Sequence, residues 1–531
     1  MKKKVDLIVT NGVIYTVDSV NTRVEAMAIS NGKIMALGSN QNIAAGYQAD
    51  ETLDLKGKAV FPGFIDAHCH FIGYALGLQY VDLAGLGSFD EVLLRLKDAD
   101  KPGKGKWLVG RGWDQNLWIS KIFPDNRKLN ELFPDIPVML IRIDGHVVLA
   151  NQEALKRAGI NENNRFRDGQ VEMKNGQLTG ILSENAADLI RGIVPQPQGE
   201  DLATLIKRAE QQCFSVGLTV VSDAGLEYPQ IIILDSLQKS GRIKMHVYAM
   251  LTPTEENINE FVKHGPYKTD KLLIRSIKIY ADGSLGSRTA RLKQPYSDAR
   301  ATSGISVTLP DSIKFLCSLA LENGYQVNSH CIGDSANRLI LDIYRSFLKE
   351  KNDLRWRIEH AQVVDQNDFH LFGDYSIIPS IQATHATSDM RWAEERVGPL
   401  RIQGAYAYKE LMNQNGWIAN GTDFPIENIS PLLTFYASVA RKDMTGFPEG
   451  GFQMKNALTR EEALHSITIW AARADFLEGE KGSLEVGKDA DFVILNQDIM
   501  GIPEQEISKT RVLNTFIRGM SVFSIVSQPT I

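Results

Sequence analysis

Phe61-Pro62-Gly63-Phe64-Ile65-Asp66-Ala67-His68-Cys69-His70 decides how the rest of the chain is read. Pro62-Gly63 marks entry from a loop, an apolar run of strand length follows, and Gly73 marks its exit. Side chains alternate faces along a strand, so His68 and His70 point the same way, with Asp66 one step deeper. Two imidazoles so spaced can grip one metal ion; two histidines hydrogen-bonded in an interior are the structural alternative. Three later runs end alike. Tyr325-Gln326-Val327-Asn328-Ser329-His330-Cys331-Ile332-Gly333-Asp334 passes from apolar to polar at His330 and into a glycine turn. Leu354-Arg355-Trp356-Arg357-Ile358-Glu359-His360-Ala361 puts His360 at a strand end, with Glu359 expected to face away. Gly416-Trp417-Ile418-Ala419-Asn420-Gly421-Thr422-Asp423-Phe424-Pro425 ends a strand at Asp423. A capping aspartate or a satisfied core histidine explains any one of these. Four in order point to a barrel, whose catalytic groups come from the C-terminal ends of several strands.

Outward from these runs, strand-length apolar segments alternate with amphipathic helix-length ones, such as 202–215 and 311–323. That alternation implies a mainly parallel sheet covered by helices. The fold class is therefore α/β, a (β/α)8 TIM barrel over residues 61–474. This span exceeds the ~250 residues typical of such barrels. The excess is placed at about 85–195, where Trp107, Trp113 and Trp118 crowd together, and is expected to be a cap-like insertion after the first barrel strand. The chain ends have a different texture. Runs at 5–10 and 13–17 flank Asn11-Gly12, and runs at 25–29 and 33–37 flank Asn31-Gly32, both hairpin signals. Strand runs return at 491–495 and 512–519. Residues 1–60 and 475–531 are expected to form a small β-sandwich domain built from both ends.

The 531 residues are 43% hydrophobic and 23% charged, ordinary for a globular protein. A net charge of −6 and the lack of a Lys/Arg stripe argue against a nucleic-acid partner. Cys69, Cys213, Cys317 and Cys331 form no CxxC pair. Cys317 and Cys331 could pair in principle, but so few cysteines in a long chain read as reduced. Met1-Lys2-Lys3-Lys4 resembles the start of a signal peptide, but Asp6, Asn11 and Gly12 interrupt the apolar stretch after it. With no apolar run of spanning length, no membrane partner and a cytoplasmic location are expected. No heptad or apolar stripe argues for a dimer, which leaves a homo-oligomer open.

The ordered set Pro-Gly-Phe-Ile-Asp-x-His-x-His, His330, His360 and Gly-Thr-Asp423 resembles the amidohydrolase superfamily. So does Gly482-Ser483-Leu484-Glu485-Val486-Gly487-Lys488-Asp489-Ala490-Asp491-Phe492-Val493, which in relatives returns the chain to the β-sandwich. The branch resembled is the YtcJ-like group, which includes N-substituted formamide deformylases. Its marks are Trp107-Leu108-Val109-Gly110-Arg111-Gly112-Trp113-Asp114, Asp144-Gly145-His146, and the run from Lys278 through Asp282-Gly283-Ser284 to Ala290. The resemblance spans nearly the whole chain, though the branch motifs specify a substrate only loosely. Carried over residue by residue, it implies His68, His70, Lys278, His330, His360 and Asp423 as metal ligands. A lysine ammonium has no lone pair, so Lys278 would have to act as a carbamate, formed when a neutral, buried amine adds carbon dioxide. A pair with Asp282 is its structural alternative. Histidine and carboxylate ligands suit zinc and also admit manganese, iron or cobalt. One divalent ion is implied, or two if Lys278 is carbamylated.

The expected activity is cleavage of a C–N bond in a small amide-type substrate, such as an N-substituted formamide or N-acyl compound, by a metal-activated water. Zinc lowers the pKa of bound water from roughly 15.7 to about 7. Asp423 would take the water's proton and hand it to the leaving nitrogen, with the oxyanion held by the metal or by His146. His146, Trp113 and Asp114 in the insertion, and Arg288 in the loop beyond Lys278, are candidate substrate contacts. Glu184 is weaker, since it can simply cap a helix, and nothing local settles His385. His246, His264, His370 and His465 read as structural or surface residues. The same site acting on cyclic amides, ring amines or esters is one alternative. A non-catalytic binding or regulatory barrel is another; a missing ligand would favour it, and every expected position is filled.

Overall fold

The computed structural model describes residues 1–99, 106–162 and 169–525. Its centre is eight strands: β1 (Phe64–Cys69), β2 (Leu218–Leu226), β3 (His246–Leu251), β4 (Leu272–Tyr280), β5 (Gln326–Cys331), β6 (Arg357–His360), β7 (Ile378–Ile381) and β8 (Ala419–Asn420). Neighbours in sequence are neighbours in the sheet, and all pair in parallel. Beyond β8 the chain meets β1: Asp423 N–H donates to the His68 carbonyl at 2.8 Å and His70 N–H to that of Phe424 at 2.9 Å. This nearly closed cylinder fits a (β/α)8 barrel. Strand β3 is buried at every position because helices cover the outer face, which is why such strands read as unbroken apolar runs. The coat follows the helical period: Ala336, Ile340, Ile343, Tyr344 and Leu348 form the buried stripe of helix Asp334–Leu348.

The chain ends form two further sheets. One orders its strands Lys33–Gly38, Ala26–Ser30, Lys3–Thr10 and Tyr47–Asp54; the other orders them Met520–Ser524, Val512–Ile517, Phe492–Leu495, Ala59–Pro62, Val13–Tyr15 and Arg23–Val24. Leu7, Val9, Met27 and Ile29 of the first share one apolar cluster with Val60, Phe492, Ile494 and Phe516 of the second. The hairpin at Asn31-Gly32 forms, with φ of 51° and 75° at its two central residues, as its turn type requires. The one expected across Asn11-Gly12 does not: Lys3–Thr10 and Val13–Tyr15 enter different sheets. Side chains take over the turn there. Asn11 N–H donates to Asn40 Oδ1 at 2.8 Å and Asn11 Nδ2 to Asp54 Oδ1 at 3.0 Å, while any Cβ at Gly12 would collide with Leu55.

Between β1 and β2 lies a third, six-stranded sheet: Gly169–Lys174, Gln177–Glu184, Val147–Ala150, Val138–Arg142, Leu108–Trp113 and Val81–Asp82. Trp113 and Trp118 stack at 6.0 Å within its apolar core. Of the segments named from sequence, residues 100–105 and 163–168 of the insertion and 526–531 of the C-terminal part lie outside the described residues. Among the described residues no helix is long and apolar enough to cross a membrane.

Candidate metal centre

Strand alternation carries Asp66 and His68 to the barrel interior, both fully buried. Asp66 ties β1 to the loop after β8 by accepting from Thr422 Oγ1 at 2.6 Å, Thr422 N–H at 3.0 Å and His68 N–H at 3.1 Å. Glycine is required at 421, where a Cβ would sit 2.5 Å from the His68 nitrogen and 2.6 Å from Asp66 Oδ1. His68 Nδ1 pairs with Glu359 Oε2 at 2.5 Å, so its Nε2 faces Lys278 Nζ at 3.1 Å and Asp423 Oδ1 at 3.7 Å. His70 donates its Nδ1–H to the Ala224 carbonyl at 2.9 Å, which leaves Nε2 3.3 Å from Asp423 Oδ1.

Glu359 therefore does not face away as strand alternation suggested. His360 and Ala361 have left-handed backbones, φ 71° and 42°, and this turn lets consecutive residues reach the same interior. Such conformations are costly for non-glycine residues and cluster where function demands them. Asp423, φ 61°, is a third. Gln382 Oε1 holds His360 Nδ1 at 2.6 Å. Nothing local in the sequence marks Glu359 or Gln382, because the turns that bring them inward are set by the barrel rim.

Donor atoms of His68, His360 and Asp423 all lie within 4.8 Å of one another, and all three residues are buried. Asp423 Oδ1 is buried without a hydrogen-bond partner, which is costly unless a further group meets it. Burial, and for His68 the nearby Lys278, pushes the His68 imidazole below its ordinary value and that of His360 well below, towards the neutral form that binds metals. Burial works to raise the Asp423 carboxyl, but the nearby His70 ring, 3.3 Å away, and the imidazoles of His68 and His360 outweigh it and keep it well below the carboxylate range. Nitrogen and carboxylate donors in this state fit a divalent transition metal. His330 joins the cluster, its ring 4.6 Å from that of His360, while its Nε2–H donates to the Gly283 carbonyl at 3.1 Å.

Lys278 is 1% exposed, and burial lowers its pKa to about 8. Asp282, its alternative partner, is occupied elsewhere: it accepts N–H groups of Arg291 and Gly333 at 2.8 Å and Ile332 at 3.0 Å. Because Glu359 orients the His68 ring, Glu359→Gln is expected to weaken metal affinity about 10–100-fold, measured by chelator competition. Unchanged affinity would show that the pair only fills the core.

A cavity of about 410 Å³ opens beside the cluster, walled by His330, His360 and Asp423 on the barrel side and by Asp114, Asp144 and His146 from the third sheet. Arg142 spans two of these, donating to Asp114 at 2.6 Å and Asp144 at 2.5 Å. His146 Nδ1 pairs with Glu184 Oε2 at 2.9 Å. Burial opposes charge on His146, yet Glu184 and then Asp144 override it and raise the pKa to about 9. The pair's contribution to stability is full below the unfolded value near 6.5 and is lost as pH rises through about 9. Glu184→Gln is thus expected to destabilise the protein more at pH 6 than at pH 10; equal losses in denaturant titrations at both would count against a charged His146. Trp113 and Arg288 stand outside the cavity wall. Trp113 is 1% exposed and donates to the Leu140 carbonyl at 2.9 Å, and Arg288 is paired with Asp298 at 2.7 Å.

The amidohydrolase family profile matches residues 51–523. Putative amidohydrolase YtcJ of Bacillus subtilis (strain 168) is 32% identical over 526 residues, covering 96% of this chain and 98% of its own. N-substituted formamide deformylase of Arthrobacter pascens is 26% identical over 542 residues, covering 97% and 98%. The crystal structure of an uncharacterized metal-dependent hydrolase from Pyrococcus horikoshii OT3 superposes with a TM-score of 0.76 at 31% identity, over 94% of this chain and 99% of that one. Strand-end histidines, a carboxylate without a partner and these likenesses agree: the chain belongs to the amidohydrolase family of metal-dependent hydrolases, on the branch it shares with YtcJ and the formamide deformylase.

Proposed function

We propose that this protein hydrolyses the C–N bond of a small amide-type substrate, an N-substituted formamide or N-acyl compound, using water activated at a divalent cation. The observation that carries the reading is the convergence of His68, His360 and Asp423 from three separate strand ends. His68, His70, His330, His360 and Asp423 would hold the cation, with zinc the expected metal. When bound, such an ion acts as a Lewis acid and brings the pKa of water from roughly 15.7 down to about 7. Asp423, anionic and with a free oxygen, accepts the proton of the attacking water and returns it to the leaving nitrogen. His146, charged at neutral pH, donates from the cavity wall to the carbonyl oxygen as that oxygen becomes anionic. Asp114 contacts the substrate directly, whereas Trp113 and Arg288 act through the residues they support.

Lys278 would supply a further ligand once its neutral amine adds carbon dioxide, a step in which an N–C bond forms and one proton leaves, and the added negative charge would suit a second cation. Its burial, its lowered pKa and the engagement of Asp282 elsewhere support this. The apolar cluster shared by the two terminal sheets supports a β-sandwich of residues 1–60 and 475–531. Residues in the cavity wall support 85–195 as a cap on the 61–474 barrel. Four free, buried cysteines suit a reducing compartment such as the cytoplasm. The test is metal analysis of purified protein together with a hydrolysis panel of formamides, N-acyl amino acids, cyclic amides and aryl esters. Bound transition metal with turnover of formamides or N-acyl compounds is expected; no metal and no turnover across the panel overturns the proposal.

A further inference from the structure

Arg111 belongs to the run Trp107–Asp114 and takes no part in the hydrolysis described above. On strand Leu108–Trp113, Val109 shares an apolar cluster with Ala187 and Ile190 of helix Asn185–Arg191. Alternation carries Arg111 along the same face, towards the helix's last residue, Arg191. The two guanidiniums meet at Gly145. Arg191 Nη2 donates to the Gly145 carbonyl, and a Cβ built at Gly145 would lie 3.8 Å from Arg111 Nη2 and 3.9 Å from its Nη1. Gly145 sits between Asp144 and His146 of the cavity wall.

Arg111 is short of negative charge. Its Nε is buried without a hydrogen-bond partner, and among the described residues no carboxylate stands in ion-pair range of it. Arg142, by contrast, has Asp114 and Asp144, and Arg191 has Asp188 at 2.6 Å. Asp144 has nothing left to offer: Oδ2 takes Arg142 Nη1 and Ser284 Oγ, each at 2.5 Å, and Oδ1 takes the His146 N–H at 3.1 Å. Burial and then Arg191 lower the Arg111 pKa to about 10 against the pull of Asp144 and Asp423, so it stays charged at neutral pH. A buried charge without a partner is costly, and an anionic ligand would relieve it.

The metal cluster is open on this flank. His70 stands outside the wall of the 410 Å³ cavity, yet its side chain is 26% exposed. Tyr280, at the end of β4, has its hydroxyl 3.1 Å from where a Cβ at Gly225 would sit, next to the Ala224 carbonyl that holds His70. The charges of Arg191 and Asp423 both act on Tyr280 and on Arg111, which sets these groups together at the edge of the cluster. Because Arg191 already has Asp188, one positive charge is left over, which suits a single carboxylate. A guanidinium fork matches that planar group with two parallel hydrogen bonds.

We propose that Arg111, supported by Arg191 and the Tyr280 hydroxyl, binds a carboxylate on the substrate, so that the preferred substrate is an N-acyl amino acid rather than an uncharged amide. This rests on the amide-hydrolase reading of the same site. It is tested with N-formyl and N-acetyl amino acids of both enantiomers, each paired with the amide in which methyl replaces the carboxylate. The carboxylate form is expected to exceed its partner in kcat/KM by about tenfold or more. In Arg111→Met and Arg111→Gln that preference is expected to fall to about threefold or less. Calorimetry on the metal-loaded protein reads the subsite without turnover. Its probes are levulinate, the ketone isostere of N-acetylglycine, and 2-pentanone, and levulinate is expected to bind more tightly only while Arg111 is present. Equal kcat/KM within the pairs, or a levulinate preference that survives in both variants because the metal alone holds the carboxylate, overturns the subsite and leaves amide hydrolysis standing. Levulinate selectivity lost in both variants, with no amide turned over, upholds the subsite and defeats the hydrolase reading instead.

Discussion

Asp423→Asn is expected to lower kcat by about 10³-fold or more, with the protein still folded. General acid–base catalysis alone is worth about 10²–10⁴-fold, and in the proposed mechanism this substitution removes both the proton acceptor and one negative ligand charge. The fold should tolerate it for specific reasons. Asparagine is nearly isosteric with aspartate and is among the residues that best accept a left-handed backbone, here φ 61°. The backbone bond from residue 423 to the His68 carbonyl, 2.8 Å, involves no side-chain atom and continues to join the barrel edges. The buried Oδ1 has no partner to lose within the protein. Steady-state kinetics, metal content and Tm should be read together. Normal turnover in a metal-loaded asparagine variant would remove Asp423 from the chemistry.

Withdrawing the metal should abolish hydrolysis outright and lower Tm, and zinc should restore both. The mutual approach of His68, His360 and Asp423 within 4.8 Å crowds donors that repay their desolvation only when a cation binds them. A ligand that binds only the native state stabilises it by about 2.7 kcal/mol at a concentration of 100 times its Kd, so loss of the ion should appear in thermal unfolding as well as in rate. Chelator-treated protein, shown to be metal-free and yet fully active, would overturn metal dependence for this chain. A drop in activity with no change in Tm would instead place the metal away from the buried cluster.

Much of the barrel was legible because its signals are local. Near-continuous apolar runs mark strands covered on both faces, and β3, buried throughout, is such a run. His68, His330 and His360 stand at or near the C-terminal ends of β1, β5 and β6, where the polar residues closing each run placed them. Asn31-Gly32 reads correctly as a tight hairpin because both flanking strands enter one sheet. Asn11-Gly12 carries the same dipeptide and is a corner between sheets, and only contacts with Asn40, Asp54 and Leu55 distinguish it. Glu359 was misjudged because alternation assumes an extended backbone, and His360 departs from it. Trp113 and Arg288 carry suggestive chemistry but spend it on Leu140 and Asp298.

The order of strand-end histidines and of Asp423 along the chain, and with it the barrel and the family, is determined by sequence alone, since alternation, periodicity and turn residues are properties of short segments. Which of those side chains meet, and what stands around them, is decided only when the barrel closes. Glu359 and Gln382 orient the histidines, His146 takes its charge from Glu184, and Asp389 and Glu427 share a wall although 38 positions separate them. Electrostatic coupling and desolvation act through space, so no local pattern encodes them.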